Sequence, residues 1–303
     1  MHPAELAILL HRALEVRLAG LQALLATEGW SAEEEPLHQV RVSARRLGAV
    51  LDLVDPGAYP SHKRQRRALK GLVDILGLPR ELDVHARHLE ARRRESAEPA
   101  QEAVLEHLLE EVDRARAKAR RAMHKELEDL RLPDLDKLLE VPSLRDPFQP
   151  ASLQEAAWVC LEPRAEAALG GLPDLAAQED APALHKARVR IKKLRYAVEA
   201  LEGAFAAAPE AVLRDLRALQ TALGDHHDLA ALEALLWAAE GRLRDHGRSL
   251  LAGGVLEVLG DVAEARQAAF DRFRAAAADQ SPAAFARVLR PALGLPLPGA
   301  APR

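Results

Sequence analysis

Two short runs of cations, each led by a histidine, carry most of the chemical potential of this sequence. His38, Arg41, Arg45 and Arg46 form the first, and His185, Arg188, Lys192, Lys193 and Arg195 the second. Steps of three and four residues place His38, Arg41 and Arg45 along one side of a helix, and likewise His185, Arg188, Lys192 and Arg195. Rows of guanidinium and ammonium groups are built to hold an anion with many charges, not to attack a bond. The charge is concentrated in these places. Residues 38–70 carry +6 and residues 185–217 carry +4 in a chain whose net charge is −4, so the remaining residues sum to −14.

Further cations follow each run. Lys63, Arg67 and Lys70 share one face after the first, and Arg214 and Arg217 share one after the second. Arg17 stands in an apolar series with Leu10, Leu14, Leu21 and Leu24, and Arg164 is its counterpart in the second half. A charge at such a position needs a partner, an anion or water, so both arginines are expected to point into an interior groove.

The elements that must position these residues are helices. Ala, Leu, Arg and Glu dominate, all four favour helix, and no long stretch has the alternation of a strand. Leu37, Val40, Ala44, Leu47, Leu51 and Val54 form a buried stripe beside the first cationic row. Leu184, Ala187, Ile191, Leu194, Val198 and Leu201 do the same for the second. The cations therefore sit at the shoulder of the core face, where their stems pack and their heads line a groove.

A shift of 147 residues brings the two halves into register. It carries Leu37-His38 onto Leu184-His185, Arg41-Val42 onto Arg188-Val189, and Arg45-Arg46-Leu47 onto Lys192-Lys193-Leu194. It also carries Arg17 onto Arg164, Arg67 onto Arg214, Lys70 onto Arg217 and Leu76-Gly77 onto Leu223-Gly224. Helices are expected near 3–28, 36–54, 60–76, 81–95 and 99–129, then near 151–169, 182–206, 210–223, 226–246 and 255–277. Breaks are expected at Asp55-Pro56-Gly57, Gly77-Leu78-Pro79, Gly170-Gly171-Leu172-Pro173 and Gly253-Gly254. The expected architecture is all-α: two helical bundles, residues 1–145 and 146–291, related by a pseudo-twofold axis around a basic central groove or channel. A linker is expected at 133–150 and a flexible tail at 292–303.

The aromatic complement is small, five Phe, two Tyr and three Trp. Single-stranded nucleic acid usually calls for aromatic stacking platforms as well as cations. Inorganic polyphosphate has a charge on every unit and no bases, and matches rows of cations without aromatics. The plainer reading is that each charge run is a solvated helix face, and that His38 and His185 are helix-start residues. Two matched runs on an acidic chain argue against that reading. Cys160 reads as a core residue. His226-His227-Asp228 offers metal-ligand residue types, but helix neighbours diverge by about 100°; Asp225 or Asp228 reads better as a helix cap. Arg92-Arg93-Arg94 reads as solvated surface. No glycine-rich phosphate loop or nucleophile elbow is present. Neither catalytic residues nor a metal or other cofactor are expected. Charges interrupt every apolar run and no signal peptide is evident, so the expected compartment is the cytoplasm.

The segments Leu37-His38-Gln39-Val40-Arg41-Val42 through Arg45-Arg46-Leu47, and Leu184-His185-Lys186-Ala187-Arg188-Val189 through Lys192-Lys193-Leu194-Arg195-Tyr196, resemble the CHAD family of histidine-containing α-helical domains. Leu76 to Val84, and Leu219 to Gly224 with Asp228, resemble further family segments. The resemblance implies two pseudo-symmetric bundles enclosing a basic channel that binds inorganic polyphosphate. Some members associate with polyester storage granules. Two departures are Glu81, where the family more often has Asp, and Gly48, aligned with Arg195, which removes a cation from the first half. The competing functions are a metal-dependent phosphohydrolase that uses the histidines, and a granule or nucleoid adaptor.

Overall fold

The computed structural model describes residues 3–54, 62–96, 98–130, 152–177 and 179–297. The break at Asp55-Pro56-Gly57, the linker at 133–150 and the end of the tail lie outside these residues. Every regular element among those described is helical. In chain order they are α1 (Pro3–Leu25), α2 (Glu34–Leu51), α3 (His62–Ile75), α4 (Gly77–Glu95), α5 (Pro99–Asp129), α6 (Leu153–Leu169), α7 (Leu172–Ala177), α8 (Ala181–Ala200), α9 (Glu210–Asp245), α10 (Ser249–Ala277) and α11 (Pro282–Ala292). A 3-10 turn, Glu202–Ala204, follows α8. None of these helices is long and apolar enough to cross a membrane.

Local chemistry sets several helix starts. Ser152 accepts a hydrogen bond from the Glu155 amide at 3.1 Å, with Glu at the third helical position as in a capping box. Asp180 caps α8 through the Ala183 amide at 3.1 Å, and Pro182 occupies the first turn, where its missing N–H costs nothing. Ser281 and Pro282 start α11 in the same way.

Two apolar cores hold the helices. The larger joins α1, α2, α3, α6, α7, α8, α11, the end of α5, the first part of α9 and the end of α10. The smaller joins α4, α5, the second part of α9 and most of α10. Each core draws on both sides of residue 145. All members of the two predicted stripes, Leu37 to Val54 and Leu184 to Leu201, are buried. Each buried leucine or isoleucine contributes about 1.5–3 kcal/mol, enough for the stripes to fix how α2 and α8 are rotated and hence where their cations point.

Three boundaries differ from the sequence reading. First, α9 runs without a break through Gly224-Asp225-His226, so neither Asp225 nor Asp228 caps a helix. The 147-residue shift puts His226 where the first half has Pro79. A mid-helix proline would remove a hydrogen bond and clash with the preceding turn; histidine does neither. In the first half the chain restarts at Gly77, which places Pro79 in the first turn of α4. Second, Gly253-Gly254 lies inside α10, where Gly254 packs on Val104 of α5 so closely that a Cβ would overlap it. Third, α7 and α11 were not anticipated. Beyond α11, Leu293 is buried against the larger core, and the Ala292 carbonyl accepts hydrogen bonds from the Ala206 and Ala207 amides at 2.8 and 3.1 Å.

Candidate anion-binding site

A pocket of about 490 Å³ opens where α2, α4, α8 and α9 meet. From α2 it receives His38, Arg41 and Arg45, and from α8 Arg188, Lys192, Arg195 and Tyr196. The start of α4 contributes Arg80 and Glu81, and α9 contributes Gln220, His227 and Asp228. The apolar stripes of α2 and α8 are buried in the larger core, and the cationic rows lie beside them at the pocket.

The cations fall into two classes. Arg80 is paired with Glu34 at 2.7 Å, a carboxylate it shares with Arg87 at 2.9 Å. Arg195 donates to Glu199 and to Gln220, both at 2.8 Å, and lies 4.7 Å from the centre of the Tyr196 ring. By contrast, Arg41, Arg45, Arg188 and Lys192 form no ion pair or hydrogen bond among the described residues, and the Nε atoms of Arg41 and Arg188 are buried without an acceptor. Burial, then the charges of Arg45, Arg188 and Arg80, push Arg41 down to about 10. Burial also lowers Arg45. Lys192 is pushed down to about 7 by burial and by the crowd of Arg45, Arg188, Arg41 and Arg195. Burial and then the charge of Arg80 hold His38 below the usual imidazole range. His185 and His227 face each other with Nδ1 atoms 3.4 Å apart, and burial and Arg188 lower His227. This arrangement favours the entry of negative charge.

The other candidate residues are distributed around this pocket. Arg17 and Arg46 line a neighbouring pocket of about 440 Å³ between α1 and α2, which shares His38. Arg17 is half-buried, and Leu18, not Arg17, completes the core series of α1 with Leu10, Leu14 and Leu21. Arg46 lies 3.8 Å from Glu199. Arg164 and Lys193 line a third pocket with Asp52 and Arg190. Arg164 is occupied there by backbone, donating to the carbonyls of Cys160 and Asp52 at 2.5 and 2.7 Å. Lys193 is 3.9 Å from Asp52. Lys63, Arg67, Lys70, Arg214 and Arg217 are exposed and line none of these pockets; Lys70 pairs with Asp74 at 2.5 Å and Arg214 with Asp215 at 3.6 Å.

Sequence reasoning did not select Arg80, Gln220, Tyr196, His227 or Asp228 as site residues. A signal for part of this set was present: the 147-residue shift carries Arg80-Glu81 onto His227-Asp228, and all four line the pocket. His226 is buried and accounted for elsewhere, bonded to Glu179 at 2.7 Å. Among the described residues no group of three or more His, Cys, Asp or Glu could hold a metal ion. Cys160 is half-buried against the larger core, and burial raises its thiol. In the Arg92-Arg93-Arg94 run, Arg92 is half-buried and donates to the Asp261 carbonyl at 3.3 Å, whereas Arg93 and Arg94 are exposed beside glutamates.

A CHAD domain from the plant Ricinus communis superposes with a TM-score of 0.66 at 25% identity, over 90% of this chain and 91% of that one. PptA from Streptomyces chartreusis has the same fold, with a TM-score of 0.64 at 19% identity over 89% and 98% of the respective chains. No curated protein matches the chain. Residues 12–237, which include both histidine-led helices and every side chain lining the cationic pocket, match the CHAD domain family, and the chain belongs to it.

Proposed function

We propose that this protein binds inorganic polyphosphate, without consuming it, in the pocket between α2 and α8. The observation that carries the reading is the meeting of Arg41, Arg45, Arg188 and Lys192 with no carboxylate paired to any of them among the described residues. Like charges so arranged raise the energy of the empty protein, and phosphate oxygens threaded between them lower it. Arg195, His38 and His185 extend the site, and Arg46, Arg17, Lys193 and Arg164 line the neighbouring pockets. The exposed cations Lys63, Arg67, Lys70, Arg214 and Arg217 act at longer range.

The internal repeat belongs to this proposal, with residues 1–145 and 146–291 as its two copies. Helix bounds support it. Moving α2 by 147 residues gives 181–198, against 181–200 for α8, and moving α5 gives 246–276, against 249–277 for α10. On this reading the pocket forms the centre of a basic groove between the copies. Association with polyphosphate granules would follow from this binding, whereas a polyester chain is uncharged and its granules would need a separate contact; the cytoplasm is the compartment that fits this reading.

The test is a titration with polyphosphate and with duplex DNA at several salt concentrations, with free phosphate assayed throughout. Polyphosphate should bind and weaken steeply as salt rises, by analogy with counterion release from nucleic acids. DNA should bind much more weakly, and no phosphate should appear. Equal affinity for both polymers at physiological salt overturns the selectivity. Metal-dependent turnover lost on mutating His38 or His185 overturns the non-catalytic reading.

A further inference from the structure

Of the four unpaired cations in the pocket, three are arginines that stay charged at any physiological pH, and one is a lysine. The 147-residue shift aligns Lys192 with Arg45, so the second half carries an amine where the first carries a guanidinium. We propose that the Lys192 amine is a site of acylation by small acyl phosphates, whose phosphate end the neighbouring arginines seat. The proposal rests on the reading of this pocket as an anion site.

Three observations support it. Lys192 is half-buried, lines the pocket and has no acceptor among the described residues, so nothing holds it as an ammonium ion. The charged and titratable groups around it are His38, Arg41 and Arg45 from α2, Arg80 and Glu81 from α4, Arg188, Arg195 and Tyr196 from α8, and His227 and Asp228 from α9. Cations outnumber carboxylates in this set, which favours the neutral amine; its depression to about 7 agrees. A lysine desolvated beside other cations is an activated nucleophile. The same arginines attract a phosphate dianion and stabilise inorganic phosphate as it leaves. The amine nitrogen forms a bond to the acyl carbon, the bond from that carbon to the phosphate oxygen breaks, and phosphate departs with the electron pair and takes the amine proton. The product is a neutral amide, which can no longer take up a proton in the pocket.

Lys193 supplies an internal reference, since it is exposed and faces a different pocket. The folded protein is treated with acetyl phosphate at pH 7.5, and acetylation at Lys192 and Lys193 is followed by peptide mass spectrometry. A parallel arm uses an uncharged acetylating reagent, and each arm is repeated with saturating polyphosphate. At pH 7.5 a large fraction of an amine with a pKa near 7 is neutral, against about one in a thousand for an ordinary lysine, so Lys192 should react at least about tenfold faster than Lys193. This preference should be larger with acetyl phosphate than with the uncharged reagent, and Arg41→Gln should reduce that excess. Equal rates at the two lysines with acetyl phosphate overturn the proposal, as does a preference seen only with the uncharged reagent. If Lys192 reacts as proposed while polyphosphate neither binds nor protects it, acylation stands and the polyphosphate reading falls.

Discussion

Two clusters of cations in this molecule are built on opposite principles. Between α4 and α5, Arg116 and Arg120 converge on Asp83, which is fully buried, at 2.9 and 3.2 Å. Arg120 also donates to the carbonyls of Ser31 and Ala32 and so ties in the loop after α1. That cluster contains its own counterion. Between α2 and α8, Arg41, Arg45, Arg188 and Lys192 have none. The first arrangement holds helices together; the second leaves its anion to be supplied from outside. The difference lies in the placement of carboxylates, because both clusters consist of basic side chains on buried helices.

The two halves handle this placement differently. Glu199 on α8 takes Arg195 four residues before it. The 147-residue shift aligns Glu199 with Asp52 and Arg195 with Gly48. The missing side chain is replaced from another helix. Arg66 of α3 lies over Gly48, where a Cβ would sit 3.4 Å from its guanidinium, and it pairs with Asp52 at 2.6 and 3.0 Å. The first half therefore keeps a neutralised arginine at the equivalent place, and the free cations remain those on the two facing helices.

Exchanging charges between the clusters should separate binding from stability. The largest effect is expected from reversing the unpaired cluster. Arg41→Glu with Arg45→Glu, or Arg188→Glu with Lys192→Glu, should lower polyphosphate affinity by about a thousandfold, roughly 4 kcal/mol, since two charge-assisted contacts are lost and repulsion replaces them. Circular dichroism should show the helices intact. Reversing Arg92, Arg93 and Arg94 changes the net charge more, yet should cost far less affinity.

In the paired cluster Asp83→Asn should destabilise the fold by about 3 kcal/mol, because it removes the buried carboxylate between two guanidiniums and leaves Arg116 with only Asp113 and Arg120 with only backbone carbonyls. Thermal unfolding measures this, and polyphosphate affinity of the folded fraction should hardly change. The opposite sign is expected at Lys192: Lys192→Met removes an amine that folding forces either to stand as an uncompensated charge or to give up its proton, and should raise stability by about 1 kcal/mol while weakening binding. If Lys192→Met destabilises as Asp83→Asn does, the distinction between the clusters is wrong.

A smaller effect concerns pH. Lys192 titrates near 7 when folded and near its ordinary 10.5 when unfolded, so between these values the unfolded chain holds more protons. Stability of the empty protein should rise with pH across that window. His85, buried without a partner on either nitrogen, is pushed down to about 4, and stability should fall as pH drops from 6.5 towards 4. Polyphosphate restores the charge of Lys192, so binding near pH 8 should take up protons, visible as a calorimetric heat that varies with the buffer.

The parts of this site that were legible in the sequence are those fixed by helical period. The stripes Leu37 to Val54 and Leu184 to Leu201 determined which way His38, Arg41, Arg188 and Lys192 face. Period alone does not say what a face meets. Lys63, Arg67 and Lys70 share a face, but His62, Gln65, Leu69 and Leu72 supply the buried side of α3 and leave that face to solvent. Leu18, one residue along from Arg17, completes the core series of α1 and leaves Arg17 to line the pocket between α1 and α2. The continuity of α9 turned on one residue, His226 in place of a proline. Gln220, Tyr196 and Asp228 reach the pocket only through the packing of α8 against α9, which no local pattern encodes.

The most direct test of the central claim is the salt dependence of polyphosphate affinity in the unmodified protein and in Arg188→Gln. Four engaged cations predict a slope of log affinity against log salt of about −3, and one neutralised cation should reduce its magnitude by nearly 1. A slope near zero, or one that Arg188→Gln leaves unchanged, would contradict the assignment of the polyanion to the pocket between α2 and α8.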